Sequence, residues 1–351
     1  MLRTVCSAVL FILIVSVASR PAQANKDWPL DLDEGWQEAV LSVSSLDQWL
    51  AHLGDIAGWQ PIYQGSVEIS QLQIWGLADS VTAREIVLQN PGESQGLVRL
   101  IKFEGVSQVQ IRSSAQPWDT GGWLSLLTRS RGAEQNFADA RVHDWTGYND
   151  PVVLHLGPNR RLKNVILRGP DGINIAVYER IVPGLKGWPN LKKISRPFNA
   201  MQIIKDRDIT VEYYRDVLGF TVLGIGNRPA SHPDSNNFNL PANLLLSTPL
   251  RSAILHPSGQ GDASETGRVE FVEWGGLEGR DFSDRTVAPN LGILTLRFPV
   301  SNAKAKAVEI AAKGGAIKTQ PRATRIAPYG NVILFSVTTP DGVFLEFFQP
   351  F

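Results

Sequence analysis

The segments RGPDGINIAVYE (residues 168–179) and TTPDGVFLEFFQ (residues 338–349) share one pattern, a strand, a Pro-Asp-Gly turn and a second strand. An Asp-Gly pair between apolar runs predicts a hairpin, because glycine readily takes the positive φ that tight turns need. Asp171 and Asp341 are 170 residues apart. We therefore infer that the chain contains an internal repeat.

The same offset aligns the segments upstream of each hairpin. The strand WLSLLT (residues 123–128) falls on ILTLRF (residues 293–298), and a helix follows each, at 133–146 and 303–316. Further upstream, strands at 39–43 and 200–204 precede helices at 46–57 and 209–218, and each helix ends at a glycine, Gly58 or Gly219. Short β-rich runs then complete each half. The sequence predicts an α+β fold of four βαβββ modules paired into two domains.

The N-terminus resembles a targeting signal. Arg3 precedes an apolar run at 4–18, and Ala22-Gln23-Ala24 has the small-x-small pattern of a signal peptidase site. The alternative is an uncleaved N-terminal anchor. The predicted organisation is a signal peptide at 1–24, a lead-in at 25–35, a first domain at 36–182, a linker at 183–197 and a second domain at 198–351. We expect the protein in the periplasm or secreted.

Composition excludes several classes of function. Removing residues 1–24 takes away Arg3 and Arg20 and leaves 32 basic against 34 acidic residues, a formal charge of −2. This balance argues against nucleic acid as a partner. Cys6 is the only cysteine and lies within the predicted signal, so disulfides, thiolate zinc sites and cysteine nucleophiles are not expected after cleavage. No later stretch is apolar for long enough to predict a membrane span.

The second half carries the clearest family resemblance. FNAMQIIKDRD (residues 198–208), followed by YYRDVLGF (residues 213–220), resembles the opening module of the vicinal oxygen chelate superfamily. That superfamily includes glyoxalase I, bleomycin-resistance proteins and extradiol dioxygenases. The Pro-Asp-Gly hairpins fit as well. The likeness extends over residues 36–351 and is most specific at 198–220 and 338–348.

The resemblance implies a cleft between two modules, with a metal held by residues from the first and last strands of each module. In the second domain, the expected strand registers place four residues at these positions: Asn199, Glu270, Ile293 and Glu346. In the first domain the corresponding positions are Glu38, Trp123, Ala176 and one near Arg99, which is not a ligand set.

The predicted ligands Asn199, Glu270 and Glu346 supply only oxygen atoms. Oxygen ligands suit Mg, Mn or Ca better than Zn or Fe. The sequence leaves open whether one such divalent ion or none is bound. Extradiol dioxygenases need two histidines and one carboxylate around iron, so the dioxygenase alternative is disfavoured.

The two glutamates, Glu270 and Glu346, are expected to face one cleft. A glutamate in apolar surroundings has a raised pKa if it is unpaired, which suits proton transfer next to a carbonyl. Arg297 then orients an anionic group. The alternative is structural, since Arg297 lies on the same strand face and can neutralise one carboxylate.

Two functional hypotheses follow. The first is a lyase- or isomerase-like enzyme that acts on a small carbonyl or anionic organic substrate in the second-domain cleft. The second is a non-catalytic, metal-free small-molecule-binding protein of the same fold. The long loop at 226–245 is either a binding lid or a plain connection. The oligomeric state is not indicated by the sequence.

Overall fold

The computed structural model describes residues 28–228, 233–259 and 265–351. The predicted signal peptide at 1–24 lies outside these residues, and so does Cys6. Among the helices described, none is both long enough and apolar enough to cross a bilayer.

Four modules follow one another along the chain, as the repeat predicts. The first contains β1 (Glu38–Ser42), α1 (Leu46–Ala57), β2 (Gln60–Ser66), α2 (Ile69–Ile74), β3 (Thr82–Gln89) and β4 (Leu97–Glu104). The second contains β5 (Trp123–Ser130), α3 (Ala133–Val142), β6 (Thr146–Gly147), β7 (Val152–His155), β8 (Arg161–Arg168) and β9 (Asn174–Val182). The third contains β10 (Asn199–Ile203), α4 (Arg207–Glu212), β11 (Thr221–Arg228), α5 (Ala242–Ser247), β12 (Leu250–His256) and β13 (Arg268–Trp274). The fourth contains β14 (Gly292–Pro299), α6 (Ala303–Ala312), β15 (Ala316–Ile326), β16 (Gly330–Thr338) and β17 (Phe344–Pro350).

Local signals account for the helices and hairpins. Ser45 accepts a hydrogen bond from the Gln48 amide and begins α1, and Gly58 ends it at φ 74°. The helix bounds match the prediction of 46–57. Both Pro-Asp-Gly segments form the predicted antiparallel hairpins, β8–β9 and β16–β17. The helix predicted at 209–218 begins earlier, as α4, and continues as one π-helical turn.

The strands form two large sheets. The first sheet has the order β15-β16-β17-β14-β1-β4-β3-β2, and the second has the order β11-β12-β13-β10-β5-β9-β8-β6, with β7 attached to β8. The first sheet therefore joins the first and fourth modules, and the second sheet joins the second and third. The mixed α+β class and the four paired modules are confirmed.

The pairing of the modules departs from the prediction. We expected residues 36–182 and residues 198–351 each to form a domain from its own two modules, but each sheet takes one module from either half of the chain. The two modules of the first sheet meet where β1 pairs with β14, and those of the second sheet meet where β10 pairs with β5, antiparallel in both cases. Repetition reveals two copies of a unit, but it does not reveal which edge strand meets which.

One hydrophobic cluster joins the two sheets. It contains residues from both, together with side chains of α1, α3 and α6. Because side chains alternate along a strand, each sheet turns one face to this shared core. The opposite face of each sheet carries the positions at which the superfamily resemblance places a cleft.

Candidate active site

The strand registers define four equivalent positions in each sheet. In the first sheet Glu38 lies opposite Arg297, Arg297 opposite Glu346, and Arg99 opposite Val40. The second sheet repeats this arrangement. Asn199 lies opposite Leu127, Leu127 opposite Ala176, and Glu270 opposite Met201. The equivalent pairs are therefore Glu38 and Asn199, Arg99 and Glu270, Arg297 and Leu127, and Glu346 and Ala176.

Two of the predicted positions were wrong by four residues. Ile293 and Trp123 pack in the shared core, at 3% and 2% exposure, and Arg297 and Leu127 occupy the positions assigned to them. The cause is a β-bulge in each strand. Val40 pairs with Thr295 but Leu41 pairs with Ile293, so one extra residue reverses the alternation of faces. Every residue of β14 is buried, so its sequence pattern does not reveal this reversal.

In the first sheet these positions hold a row of alternating charges, which we call the ion-pair ladder. It runs across five strands, and all its members are buried: Glu346, Arg297, Glu38, Arg99 and Glu85. Arg297 contacts Glu346 at 2.7 Å and Glu38 at 2.7 Å. Arg99 contacts Glu38 at 2.9 Å and Glu85 at 2.8 Å. The predicted structural alternative, in which Arg297 neutralises a carboxylate, is confirmed.

Both oxygens of Glu38 and both oxygens of Glu346 accept hydrogen bonds within the described part of the chain. Glu346 accepts from Arg297 and from the Trp75 indole at 2.7 Å, and Glu38 accepts from both arginines and from the Tyr329 hydroxyl at 2.9 Å. Burial alone raises the pKa of Glu38, but Arg99 and Arg297 outweigh it and lower that pKa below its ordinary value. Among the described residues, Nη2 of Arg297 is buried without a hydrogen-bond partner, so the ladder satisfies the carboxylates of Glu38 and Glu346 but not every guanidinium nitrogen.

The shared site predicted for Glu270 and Glu346 is not formed. Glu346 lies on β17 in the first sheet, and Glu270 lies on β13 in the second. Asn199 stays with Glu270, and its amide nitrogen donates to Glu270 at 2.9 Å. The prediction failed because both glutamates were assigned to one domain, whereas their strands belong to different sheets.

The residues do not fit the predicted oxygen-ligated metal. Within residues 28–228, 233–259 and 265–351, no group of three or more His, Cys, Asp or Glu side chains is arranged to hold an ion. In the first sheet, guanidinium groups already occupy the carboxylates Glu38 and Glu346. In the second sheet, Leu127 and Ala176 have no side-chain donor atom. No step of the chemistry is therefore assigned to a metal.

The second sheet carries an open cleft with two adjoining lobes. The Arg129 lobe has a volume of about 230 Å³ and the Arg228 lobe about 330 Å³. Small-molecule sites typically occupy about 300–1,000 Å³. The lobes share one wall, formed by Leu156, Arg160, Leu162, Tyr178, Ile254 and Glu270. Glu270 thus lies where the two lobes meet.

Glu270 has a raised pKa in this two-lobed cleft. Burial raises its pKa to about 7, against the opposing effects of Arg228, the Asn199 hydrogen bond and Arg129. At neutral pH the carboxyl is therefore divided between its acid and base forms. Asn199 donates to it through the amide nitrogen, and the amide oxygen of Asn199 is buried without a hydrogen-bond partner among the described residues.

Tyr178 and Arg228 surround Glu270. Burial, followed by the charge of Glu270, raises the pKa of Tyr178, so its hydroxyl stays protonated. Arg228 is half-buried, and burial lowers its pKa against the opposing charge of Glu270. No sequence motif marks either residue. Part of the long loop predicted at 226–245 does line the cleft, through Asn237 and Phe238.

Comparisons with solved structures identify the architecture. Glyoxalase I from Zea mays superposes with a TM-score of 0.58 at 13% identity, over 90% of this chain and 92% of that one. Its V278E mutant gives 0.59 at 14% identity, over 90% and 92%. A proposed dioxygenase from Bacillus subtilis gives 0.52 at 11% identity, over 92% and 86%. The chain has the vicinal oxygen chelate fold.

The predicted superfamily fold is thereby confirmed, in its four-module form. No protein-family model and no curated protein matches the sequence. At these identities the likeness establishes the vicinal oxygen chelate fold alone, so an activity must be argued from the cleft.

Proposed function

We propose that the chain is a metal-independent, lyase- or isomerase-like enzyme that moves a proton within a small organic anion. The two-lobed cleft of the second sheet is the site, and Glu270 is its acid/base. The observation that carries the proposal is the position of Glu270, a carboxyl with a pKa of about 7 where the two lobes meet. A general acid/base works best when its pKa lies near the working pH.

The chemistry suits a carbon–hydrogen bond next to a carbonyl. The Glu270 carboxylate takes the proton from carbon, and the electron pair of that bond moves onto the carbonyl oxygen. The Tyr178 hydroxyl, held neutral by burial, donates a hydrogen bond to this oxygen. Arg228 offsets the developing negative charge. Glu270 then returns the proton to carbon, or a leaving group departs from the neighbouring carbon.

Glu346 and Arg297 have no catalytic role in this proposal. Both are buried in the ion-pair ladder and hydrogen-bonded to protein partners. Their contribution is to the stability and shape of the first sheet. The catalytic assignment therefore keeps Glu270 from the sequence prediction, replaces Asn199 as a metal ligand by Asn199 as the Glu270 partner, and adds Tyr178 and Arg228.

The second candidate function is ligand binding without turnover. Apolar side chains in the cleft favour it, because they give the lobes surface that can pack against a ligand: Leu127, Leu156, Leu162 and Ile254. Under this alternative, Glu270 serves as a hydrogen-bonding group and not as a base.

Solvent deuterium exchange separates the two candidates. The protein is incubated in D₂O with 2-oxobutyrate and with 2-oxoglutarate, and loss of the proton signal next to the carbonyl is followed by NMR. We expect exchange with the native chain and none with Glu270→Gln, while Glu104→Gln, which removes an exposed carboxyl, stays active. Exchange that persists in Glu270→Gln overturns the proposal, as does a bound oxo acid that never exchanges.

We also propose export to the periplasm or beyond the cell, supported by the targeting pattern at residues 1–24. The N-terminal sequence of the protein recovered from a periplasmic fraction is expected to begin at Asn25. Recovery only from the cytoplasm with Met1 intact contradicts it.

A further inference from the structure

The two-lobed cleft is strongly basic. Its lining contains two glutamates, Glu265 and Glu270, and six arginines: Arg129, Arg160, Arg161, Arg180, Arg228 and Arg268. This excess of positive charge is local, because the whole chain has a formal net charge of zero. A concave basic surface concentrates anions and strengthens their binding.

The arginines are divided between the two lobes. Arg228 lines one lobe, and Arg129, Arg180 and Arg268 line the other. In the sheet order β11-β12-β13-β10-β5, Glu270 is on the middle strand, Arg228 on one outer strand and Arg129 on the other. At about 4.8 Å between neighbouring strands, each arginine strand lies about 10 Å from the strand of Glu270. Both guanidinium groups are close enough to act electrostatically on Glu270 and to oppose the rise in its pKa.

Three arginines of the Arg129 lobe converge on one carboxylate. Glu265 accepts from Arg129 through Nε at 2.8 Å and again through Nη2, accepts from Arg180 at 3.0 Å, and lies 3.5 Å from Arg268. One carboxylate cannot occupy the donors of three guanidinium groups, each of which has five N–H bonds. Arg268 Nε is buried without a partner among the described residues. The lobe thus retains donors and positive charge for a second acidic group.

The Arg228 lobe is the less neutralised of the two. Among the described residues, Arg228 makes no hydrogen bond or ion pair with a side chain, and the negative charge that acts on it near neutral pH is that of Glu270. A guanidinium group that is already half-buried has lost part of its hydration, so an added acidic group gains more from pairing with it.

We propose that the cleft binds an organic dianion, with one acidic group against Arg228, the other against the Arg129–Arg180–Arg268 cluster, and the reacting carbon beside Glu270. This inference names the substrate class of the proposed active site and rests on that site. Carboxylates and phosphate esters share the required chemistry. A molecule with one acidic group leaves one arginine lobe unpaired and therefore binds more weakly.

Calorimetric titration tests the proposal. The probes are the dicarboxylates malonate, succinate, glutarate and adipate, the mixed anion 3-phosphoglycerate, and the monocarboxylates butyrate and hexanoate. We expect at least one dianion to bind about tenfold or more tightly than the monocarboxylates, a difference of about 1.4 kcal/mol. Arg228→Gln and Arg180→Gln should each remove this advantage. Arg215→Gln, which removes an exposed arginine paired with Asp216, should preserve it.

The outcomes are distinct. Equal affinity of dianions and monocarboxylates in the native protein overturns the inference, and so does an advantage that survives either substitution. Arg180 is a suitable position because Arg129 still pairs with Glu265 after its removal. Dianion binding that is retained in Glu270→Gln, together with an absence of deuterium exchange in the native chain, leaves this inference standing and overturns the proposed enzyme function.

Discussion

Replacing Arg297 by methionine tests whether the ion-pair ladder is one coupled ionic unit. The substitution removes two contacts of 2.7 Å, and the Trp75 indole is then the remaining hydrogen-bond donor to the buried Glu346 carboxylate among the described residues. Glu38 keeps Arg99 and the Tyr329 hydroxyl. Removing one partner of a buried ion pair costs about 3–5 kcal/mol, chiefly because the remaining charge is uncompensated. We expect a loss of this size in the free energy of unfolding.

The double variant Arg297→Met/Glu346→Met gives the sharper result. It removes the Glu346 carboxylate together with the Arg297 guanidinium, so no unpaired charge is left at this position. Apolar side chains of similar volume often replace a buried ion pair with little loss of stability. The double variant is therefore expected to be more stable than Arg297→Met alone, with a coupling of about 2–3 kcal/mol in the double-mutant cycle.

Urea unfolding, followed by tryptophan fluorescence, measures all four members of the cycle. Calorimetric binding of a dicarboxylate to the second-sheet cleft serves as the functional control, and it should be unchanged in every variant. Additive costs, or a loss below about 1 kcal/mol for Arg297→Met, would refute the ladder as a coupled unit. Loss of ligand binding in a folded variant would refute the claim that the ion-pair ladder of the first sheet is structural and that the ligand binds only at the second sheet.

Three further predictions concern pH and metals. Burial, reinforced by the charge of His143, lowers the pKa of His52, while Asp144 and Asp55 oppose this effect. The folded protein therefore favours the neutral imidazole. The contribution of His52 to the free energy of unfolding is complete above pH 6.5 and declines as the pH falls below that value. In His52→Gln, urea unfolding between about pH 5 and 7 should show a smaller decline. The raised pKa of Glu270, about 7 against 4.5, gives stability that is complete below pH 4.5 and lost as the pH rises through 7. The free energy of unfolding of Glu270→Gln should therefore rise by up to about 3 kcal/mol relative to that of the native chain as the pH goes from 4.5 to 7. A difference between the two proteins that does not change with pH would contradict the raised pKa. Mg²⁺, Mn²⁺ or Ca²⁺ added after chelation should leave Tm unchanged, and a stoichiometric rise in Tm would contradict the metal-free assignment.

The sequence was sufficient for the elements and the repeat, because these depend on local chemistry. Helix α1 has the predicted bounds, since a serine begins it and a glycine at positive φ ends it. The Pro-Asp-Gly hairpins form for a similarly local reason. The offset of 170 residues correctly indicated that Arg297 and Leu127 occupy equivalent positions, although they were not the positions selected.

The arrangement of the site depended on features that no local pattern reveals. The pairing of β1 with β14 decides that Glu38 meets Arg297, and these residues are 259 positions apart. The bulges opposite Val40 and Met201 decide which face Arg297 and Leu127 present. Arg228 and Tyr178 approach Glu270 only through the completed sheet. The sequence therefore indicated individual candidate residues, but which of them lie together in one site followed only from the tertiary structure.

The pKa of Glu270 is the most direct test of the account. The protein is labelled with ¹³C at glutamate side-chain carboxyls, and the Glu270 resonance is identified by its absence in Glu270→Gln. The account predicts a titration midpoint near pH 7, shifted by saturating dicarboxylate if the ligand occupies the same cleft. A midpoint near the ordinary value of 4.5, in free and bound protein alike, would contradict the assignment of Glu270 as the acid/base of this cleft.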